Sequence, residues 1–323
     1  MLDRYGRVIN YLRISVTDRC NLRCCYCMPE GVQDVGMKNI LTFEEIWEIV
    51  RTGVSLGITH IRITGGEPLV RKGCVNLIRG IREIPGVETI TMTTNGVLLG
   101  NYAKQLKEAG VDGVNISLDT LDPEEFYKIT GKRELQEVLA GIRAAKTAGL
   151  PVKLNAVNRK ELDPIPLVRY AQEENLPIRF IEMMPVGYGK KYVGRSNEEL
   201  RETLEAVCGN AECMTNREEL SRMGSGPAVY YQFSDLKVPV GFISAIHGKF
   251  CDTCNRVRLT AEGYLKLCLC YDEGEDFLRV LREGEKENLR TIMEQTIFRK
   301  PAAHCFEHPA EMTETHEMVK IGG

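Results

Sequence analysis

Hydrophobic and polar residues alternate over six short segments between residues 11 and 184, a pattern typical of β-strands. The six segments are Tyr11–Val16, His60–Thr64, Thr89–Thr94, Gly113–Ser117, Val152–Val157 and Ile178–Met183. Apolar residues at helical spacing lie between several of them, with a capping box at Thr42 and Glu45 and a helix-ending glycine at Gly149. Six strand–helix units in series predict an α/β fold with a partial (β/α)6 barrel of the TIM type.

The predicted strands are apolar on one side and polar on the other. Parallel strands that are covered by helices normally read as continuous apolar runs. We therefore expect the apolar side to face the helices and the polar side to face the barrel interior. Four cations occupy the polar side: Arg13, Arg62, Lys153 and Arg179. Since an unpaired buried cation costs several kcal/mol, the sequence predicts an anion in this interior.

That anion could come from the chain or from a ligand. Glu67, Asp119 and Glu182 stand near the ends of the same strands, and they could pair with the interior cations. An anionic small molecule inside the barrel is the alternative. The pattern of residues leaves both interpretations open.

The alternation weakens beyond about residue 185, and a different mixture of elements begins there. Short β-segments are predicted at 229–233, 240–246, 257–260 and 264–269, and helices near 276–283 and 286–298. Ala261–Glu262–Gly263 is the expected turn of the last hairpin. The change predicts a barrel core over residues 1–227 and an α+β region over 228–323 that closes the barrel.

Composition and charge narrow the classes of function. The chain has 323 residues, with 42 Lys and Arg against 45 Asp and Glu, so its formal net charge is −3. This balance argues against a general binder of nucleic acid or of membrane surfaces. Neither a secretory signal nor an apolar run long enough to span a bilayer is visible, so we expect a cytoplasmic protein with reduced thiols. Twelve cysteines then indicate metal or redox chemistry.

Two sets of three cysteines carry the candidate chemistry. Cys20, Cys24 and Cys27 come directly after the first strand, and Cys251, Cys254 and Cys268 form a later C-x2-C-x13-C pattern. Iron–sulfur clusters normally take four thiolates, so three would leave one iron open to an outside ligand. A structural zinc site is the alternative for each set. The extra thiol of Cys25 complicates the first set, and Cys270 or His247 could complete a zinc site in the second.

The chain resembles the radical S-adenosylmethionine (SAM) superfamily and, within it, the GTP 3′,8-cyclase family of molybdenum cofactor biosynthesis. The resemblance runs nearly end to end and is weakest over 185–235 and 270–315. It is carried by YLRISVTDRCNLRCCYCMP at 11–29, ITGGEP at 63–68, TTNG at 93–96, SLD at 117–119, RFIEMM at 179–184, FCDTCNRVRLT at 250–260 and MVKIGG at 318–323.

The resemblance implies two 4Fe-4S clusters, one on each cysteine set, with SAM on the open iron of the first. Tyr26, Gly66, Ser117 and Met184 would then surround SAM. The implied GTP-binding residues are Arg13, Arg62, Thr93, Lys153, Arg179, Arg256 and Arg258. The guanine of GTP would contact the open iron of the second cluster.

The implied reaction joins C8 of guanine to C3′ of the ribose and gives (8S)-3′,8-cyclo-7,8-dihydroguanosine 5′-triphosphate. Implied partners are cyclic pyranopterin monophosphate synthase, which would act next in the pathway, and an unidentified electron donor. A homodimer stays open as the assembly. We also expect the terminal Gly322–Gly323 to enter the active site, since residues without side chains fit a narrow space.

Two other functions remain to be distinguished. One is a radical SAM enzyme that modifies a peptide with the help of an auxiliary cluster. Such relatives usually carry more C-terminal cysteines in another spacing. The other is a zinc protein without catalytic activity, which would be colourless and would hold zinc at both cysteine sets.

Overall fold

Parallel strands form the centre of the fold. The computed structural model describes residues 1–31, 36–192, 194–224, 226–284 and 286–322. Within this part of the chain, the strands are β1 (Tyr11–Ser15), β2 (His60–Thr64), β3 (Thr89–Thr94), β4 (Gly113–Ser117), β5 (Val152–Asn158), β6 (Ile178–Glu182), β7 (Ala211–Cys213), β8 (Val229–Phe233), β9 (Val240–Ile243), β10 (Arg256–Leu259), β11 (Tyr264–Lys266) and β12 (Gly274–Asp276). The α-helices are α1 (Phe43–Ser55), α2 (Cys74–Arg82), α3 (Leu99–Glu108), α4 (Pro123–Thr130), α5 (Leu135–Thr147), α6 (Ile165–Glu173), α7 (Asn197–Cys208), α8 (Arg217–Arg222), α9 (Phe277–Arg282) and α10 (Leu289–Phe298).

All these strands belong to one sheet in the order β12-β11-β10-β1-β2-β3-β4-β5-β6-β9-β8-β7. The six predicted strands are β1 to β6, and they lie side by side in sequence order. β10 pairs in parallel with β1, and β9 pairs in parallel with β6. The later strands thus extend the barrel wall at both edges. In the described residues β9 and β10 do not pair with each other, so the barrel is partial.

The apolar side of the strands packs against the helices, as predicted. Leu12, Ile14, Ile61 and Ile63 are fully buried in the main hydrophobic core, together with apolar residues of α1 and α2. Burying each such side chain contributes about 1.5–3 kcal/mol to the transfer free energy. The opposite side of the strands therefore faces the barrel interior.

Local signals set the ends of several helices. Thr42 accepts a hydrogen bond from the backbone of Glu45, whose carboxylate accepts one in return, so the capping box before α1 is present. Gly149 comes after α5 with a φ of +70°, which suits glycine best. Ser196 and Glu199 form a second capping box before α7.

The part of the chain beyond residue 185 contains more regular structure than its sequence pattern suggests. Residues 208–227, where the sequence shows no clear periodicity, include β7 and α8. β7 is only three residues long and is held by antiparallel pairing with β8, a contact that leaves no periodicity in the sequence. No described helix combines the length and the apolar character that a membrane crossing would require.

Candidate active site

A cavity of about 350 Å³ lies inside the barrel wall. Its lining brings together all six cysteines of the two predicted sets and the four residues predicted to surround SAM. Among the residues predicted to bind GTP, six line it: Arg13, Arg62, Thr93, Arg179, Arg256 and Arg258. Lys153 lies just outside the lining, where its Nζ donates a hydrogen bond to the Met223 carbonyl at 2.8 Å.

The first cysteine loop leaves β1 and is fastened to the end of α4. The backbone N–H groups of Arg23 and Cys25 donate to the carbonyls of Thr130 and Ile129, at 2.7 and 2.8 Å. Leu22 N–H donates to the Cys20 sulfur at 3.4 Å. These hydrogen bonds fix the path of the loop.

Gly65 and Gly66 hold the same loop from the side of β2. Gly66 N–H donates to the Thr17 carbonyl at 2.7 Å. A Cβ on Gly65 would lie 2.6 Å from the Thr17 oxygen, and one on Gly66 would lie 2.6 Å from the Asp18 oxygen. Since real Cβ contacts are never this short, both positions require glycine for the close approach of two backbones.

Burial makes the first set of thiols hard to ionise without a metal. It raises the pKa of Cys20 to about 11 and that of Cys27 to about 12. It also raises the pKa of Cys24 well above the usual value, with further contributions from Cys27 and Asp119. A bound metal centre would stabilise the thiolates that burial disfavours.

The second set is assembled from three places in the C-terminal region. Cys251 lies in a short turn, Cys254 lies two residues before the start of β10, and Cys268 comes after β11. Arg7 from the N-terminal segment donates to the Cys251 carbonyl at 2.9 Å while it pairs with buried Asp3 at 2.6 Å.

The charges around this second set differ from those around the first. Burial raises the pKa of Cys251. Burial acts in the same direction on Cys254, but Lys300 and Arg256 more than offset it and leave that pKa below its usual value. Cations therefore favour a thiolate at this position.

The two residues that could complete a zinc site in the second set are engaged elsewhere. Cys270 lies 3.1 Å from the sulfur of Cys305, and His247 contacts Glu182 at 3.1 Å. This favours a centre with three protein thiolates, such as an iron–sulfur cluster with one open iron.

Arginines form a row across the interior face of the wall. Arg13 on β1 is in register with Arg62 on β2 and with Arg258 on β10. Burial lowers the pKa of Arg13 well below its usual value, and Arg258 lowers it further. Burial and the neighbouring Arg256 lower the pKa of Arg258 to about 10. This crowding of like charges is the arrangement that an anionic ligand would relieve.

The three carboxylates that could have neutralised these cations are occupied by other groups. Glu67 accepts hydrogen bonds from the backbone of Asn95 and Leu69, at 2.7 and 3.1 Å. Asp119 accepts from Tyr26 Oη at 2.7 Å and from the Val157 backbone at 2.8 Å. Glu182 accepts from the backbone N–H groups of residues 246 and 247. The carboxylates hold loops at the strand ends, which favours a ligand as the anion.

The cavity lining also includes residues that the sequence pattern did not single out. Tyr11 and Asn155 line it from β1 and β5, and Lys300 and His304 line it from the segment after α10. Asn155 accepts a hydrogen bond from Arg179 at 2.9 Å. Tyr11 and Asn155 belong to the polar side of their strands, so the same alternation could have identified them. Lys300 and His304 lie in an irregular segment that carries no such signal.

Two family models and several full-length relatives match this sequence. The sequence model of the radical SAM superfamily matches residues 14–164, and that of Molybdenum Cofactor Synthesis C matches residues 176–306. The chain is 41% identical over 330 residues to a GTP 3′,8-cyclase of Clostridium perfringens strain 13, with 100% of both chains covered. It is 45% identical over 332 residues to a GTP 3′,8-cyclase of Thermodesulfovibrio yellowstonii, again with 100% of both chains covered.

Among solved structures, Streptococcus suis SuiB bound to S-adenosylmethionine superposes with a TM-score of 0.66 at 16% identity. The match covers 97% of this chain and 77% of SuiB. SuiB bound to its precursor peptide SuiA gives a TM-score of 0.65 at 15% identity, covering 98% of this chain and 76% of that one. At this identity the likeness shows the fold alone.

Proposed function

Since the chain belongs to the GTP 3′,8-cyclase family of the radical SAM superfamily, we propose that the cavity inside its barrel is where GTP is cyclised. The enzyme converts GTP to (8S)-3′,8-cyclo-7,8-dihydroguanosine 5′-triphosphate, the first step of molybdenum cofactor biosynthesis. The observation that carries the assignment of the site is the lining itself, which contains both cysteine sets and five arginines. The relatives named GTP 3′,8-cyclase match over the full chain, which also disfavours a peptide substrate.

Each cysteine set would hold one 4Fe-4S cluster with an open iron. The position of Cys20, Cys24 and Cys27 together in the cavity lining supports them as ligands of the first cluster. The second cluster would be bound by Cys251, Cys254 and Cys268. When bound, the first cluster and SAM supply the adenosyl radical that removes the C3′ hydrogen of GTP.

Residues at the carboxyl ends of the strands would hold SAM near the first cysteine set. Gly66 brings bare backbone to the cavity, while Ser117 lies at the end of β4. Tyr26 is oriented by its hydrogen bond to Asp119 at 2.7 Å, and Met184 lies just beyond β6. Each of the four lines the cavity, so a ligand there would contact parts of four strand–loop units.

The arginines would bind the triphosphate and orient the nucleotide. A planar guanidinium forms two parallel hydrogen bonds with a phosphate, which fixes direction as well as position. Arg256 and Arg258 lie on the same side of β10, directly after Cys254, so the phosphates and the second cluster would share one edge of the wall. Thr93 Oγ1 is buried without a hydrogen-bond partner in the described residues, which suits a hydroxyl that donates to the nucleotide. Lys153 would add a further positive charge from just outside the cavity lining.

The enzyme would operate in the cytoplasm, where thiols stay reduced and the clusters persist. Its product would pass to cyclic pyranopterin monophosphate synthase, and a separate electron donor would reduce the clusters. We further propose that the chain divides into a core at 1–227 and a closing region at 228–323. The assembly that we propose to test is a homodimer.

Iron and acid-labile sulfide analysis after anaerobic purification tests the assignment of the clusters. Wild-type protein should hold two 4Fe-4S clusters, whereas zinc at both sets would contradict the proposal. Replacing Cys20, Cys24 and Cys27 together with alanine should leave about half of the iron, abolish SAM cleavage and retain some GTP binding. Cys25→Ala is the matched control, because this thiol lies in the same loop but outside the cavity lining, and it should keep all the iron.

A further inference from the structure

A buried ion pair holds the start of the C-terminal tail, which we define as residues 314–322. Lys266 lies at the end of β11, and its side chain is 2% exposed. Its Nζ contacts the carboxylate of Glu314, whose side chain is 0% exposed. Charged side chains that are buried this deeply are stable only when they are paired. The pair therefore fixes one point of the tail to the sheet.

Hydrogen bonds reinforce this attachment. The backbone N–H of Glu314 donates to the Cys270 carbonyl at 3.2 Å, and Glu314 Oε1 accepts from the backbone N–H of His316 at 2.7 Å. One residue before the tail, Thr313 Oγ1 accepts from the backbone N–H of Asp272 at 2.9 Å. Glu314 therefore joins the sheet on one side to the next residues of the tail on the other.

Beyond this point the tail contacts both predicted binding sites. Val319 lines the cavity, and its backbone N–H hydrogen-bonds to Cys27 of the first cysteine set. The Gly322 carbonyl accepts a hydrogen bond at 2.5 Å from Arg258, one of the arginines proposed to bind GTP. Ile321 lies between these two contacts and is 2% exposed. A shift of the tail along its own axis would disturb both contacts, so their geometry depends on where the tail is attached.

We propose that Glu314, held by Lys266, is a positioning residue that sets the register of the C-terminal tail against the first cysteine set and against Arg258. The inference rests on the proposed function for what those two sites bind, whereas the attachment itself is a property of the fold. Neither Lys266 nor Glu314 is among the described residues that line the cavity, so both act through the tail.

The variant Glu314→Gln tests the proposal, because it keeps the shape of the side chain and removes the charge that attracts Lys266. Lys266 keeps two other partners, the Tyr271 carbonyl at 3.0 Å and the Asp272 carboxylate at 3.8 Å, so the variant should fold. Glu314→Asp keeps the charge on a shorter side chain and should give an intermediate result. It decides the outcome if Glu314→Gln does not fold.

Trypsin digestion of the anaerobic holoenzyme, followed by mass spectrometry, measures how firmly the tail is held. Trypsin cleaves after lysine, and burial of Ile321 should protect the bond after Lys320 in the wild type. Glu314→Gln should lose residues 321–323 about a hundredfold faster, since breaking a buried pair favours the locally opened state that a protease attacks. Cleavage at the other tryptic sites and the iron content should stay as in the wild type.

Turnover of GTP provides the second measurement. In Glu314→Gln it should fall toward that of a protein that lacks Gly322 and Gly323. In the shortened protein the same substitution should lower the residual turnover no further, because the contact that Glu314 positions is already gone. Glu311→Gln removes an exposed carboxylate of the same segment and is the matched control, with wild-type cleavage and turnover expected.

Cleavage after Lys320 at the wild-type rate in Glu314→Gln, or equal acceleration at every tryptic site, would overturn the positioning role. A loss of turnover that recurs in full in the shortened protein would overturn it too, because Glu314 would then act by another route. Failure of the wild-type enzyme to cyclise GTP would overturn the proposed function, while the cleavage rates would still decide whether Glu314 holds the tail.

Discussion

Lys153 is an interior cation whose charge changes close to neutral pH. Burial lowers its pKa to about 8, with Arg179 and Arg62 contributing in the same direction. As the pH rises through this value the free enzyme loses the charge, so binding of a triphosphate must then include uptake of a proton. GTP affinity should therefore fall between about pH 7 and about pH 9.

The matched variant for this prediction is Lys153→Arg, because arginine keeps its charge over the same range. Anaerobic GTP titrations at both pH values should show a smaller loss of affinity in the variant than in the wild type. The same loss in both proteins would assign the pH dependence to another group.

Arg256 is expected to bind GTP without supporting either cluster. It lines the cavity from β10, and burial lowers its pKa. Arg256→Ala should weaken GTP binding by about 1.5–3 kcal/mol, the range for a hydrogen bond to a charged group. Arg256→Lys should restore only part of this, because an ammonium group lacks the planar fork. GTP titration and iron analysis of the two variants check this prediction. Loss of iron with unaltered GTP affinity would mean that Arg256 has a structural role.

At the scale of single residues, the sequence predicts the positions that belong to a short motif or to an alternating strand. The cysteines and the interior arginines could be placed in this way. His304 could not, because its place in the cavity lining is set by a stacking contact with Phe306, which only the folded chain reveals. The roles of Glu67 and Asp119 were likewise open until their backbone partners were known.

The contact between the end of β2 and the first cysteine loop leaves no room for a methyl group. Gly66→Ala would place a Cβ 2.6 Å from the Asp18 oxygen, so the loop would have to move. We expect this variant to lose iron from the first cluster and to stop cleaving SAM. Gly100→Ala on α3 is the control, because a Cβ there meets no atom within 4 Å, and alanine should be neutral or stabilise by about 0.5–1 kcal/mol.

Iron analysis and thermal unfolding of the two glycine variants provide the comparison. An iron content of Gly66→Ala equal to that of the wild type would show that the loop tolerates the methyl group.

The elements with strong periodicity were predictable, together with their caps. β1 to β6, α1 with its capping box and the end of α5 at Gly149 can all be inferred from local pattern. β7 could not, because it is three residues long and is held by pairing with β8. Local propensity contains no record of such a neighbour, which is why tertiary contacts override it.

For the molecule as a whole, the C-terminal tail is predicted to take part in the active site. Met318 and Val319 line the cavity, and Arg258 donates a hydrogen bond to the Gly322 carbonyl at 2.5 Å. Gly323 lies outside the described residues, so the prediction that it enters the site is untested. Chain ends without such contacts usually fray.

Deleting Gly322 and Gly323 should lower the rate of cyclisation far more than it lowers the melting temperature, because Gly322 contacts Arg258 of the proposed nucleotide site and neither glycine has a side chain to pack in the core. Product formation and thermal unfolding are measured on the same preparation. Unchanged turnover would show that the tail is dispensable.

The barrel could be foreseen from the sequence, whereas the way in which it is completed could not. Six strand–helix units predict the central wall. β9 and β10 extend this wall in parallel at its two edges. This arrangement depends on pairing between segments that are far apart in the sequence. No local signal specifies which edge a late strand will join.

The pairing of β1 with β10 has a consequence for how the protein folds during its synthesis. Asn10 and Asn255, which precede these strands, hydrogen-bond across 245 positions of sequence. A contact of this range closes late and slowly, because the chain entropy of such a loop is lost before the contact can compensate for it. During synthesis one edge of β1 stays unpaired until most of the polypeptide has left the ribosome. The first cysteine loop emerges early into this unfinished structure, so we expect cluster insertion in the cell to depend on factors that shield the nascent chain from oxygen and from aggregation.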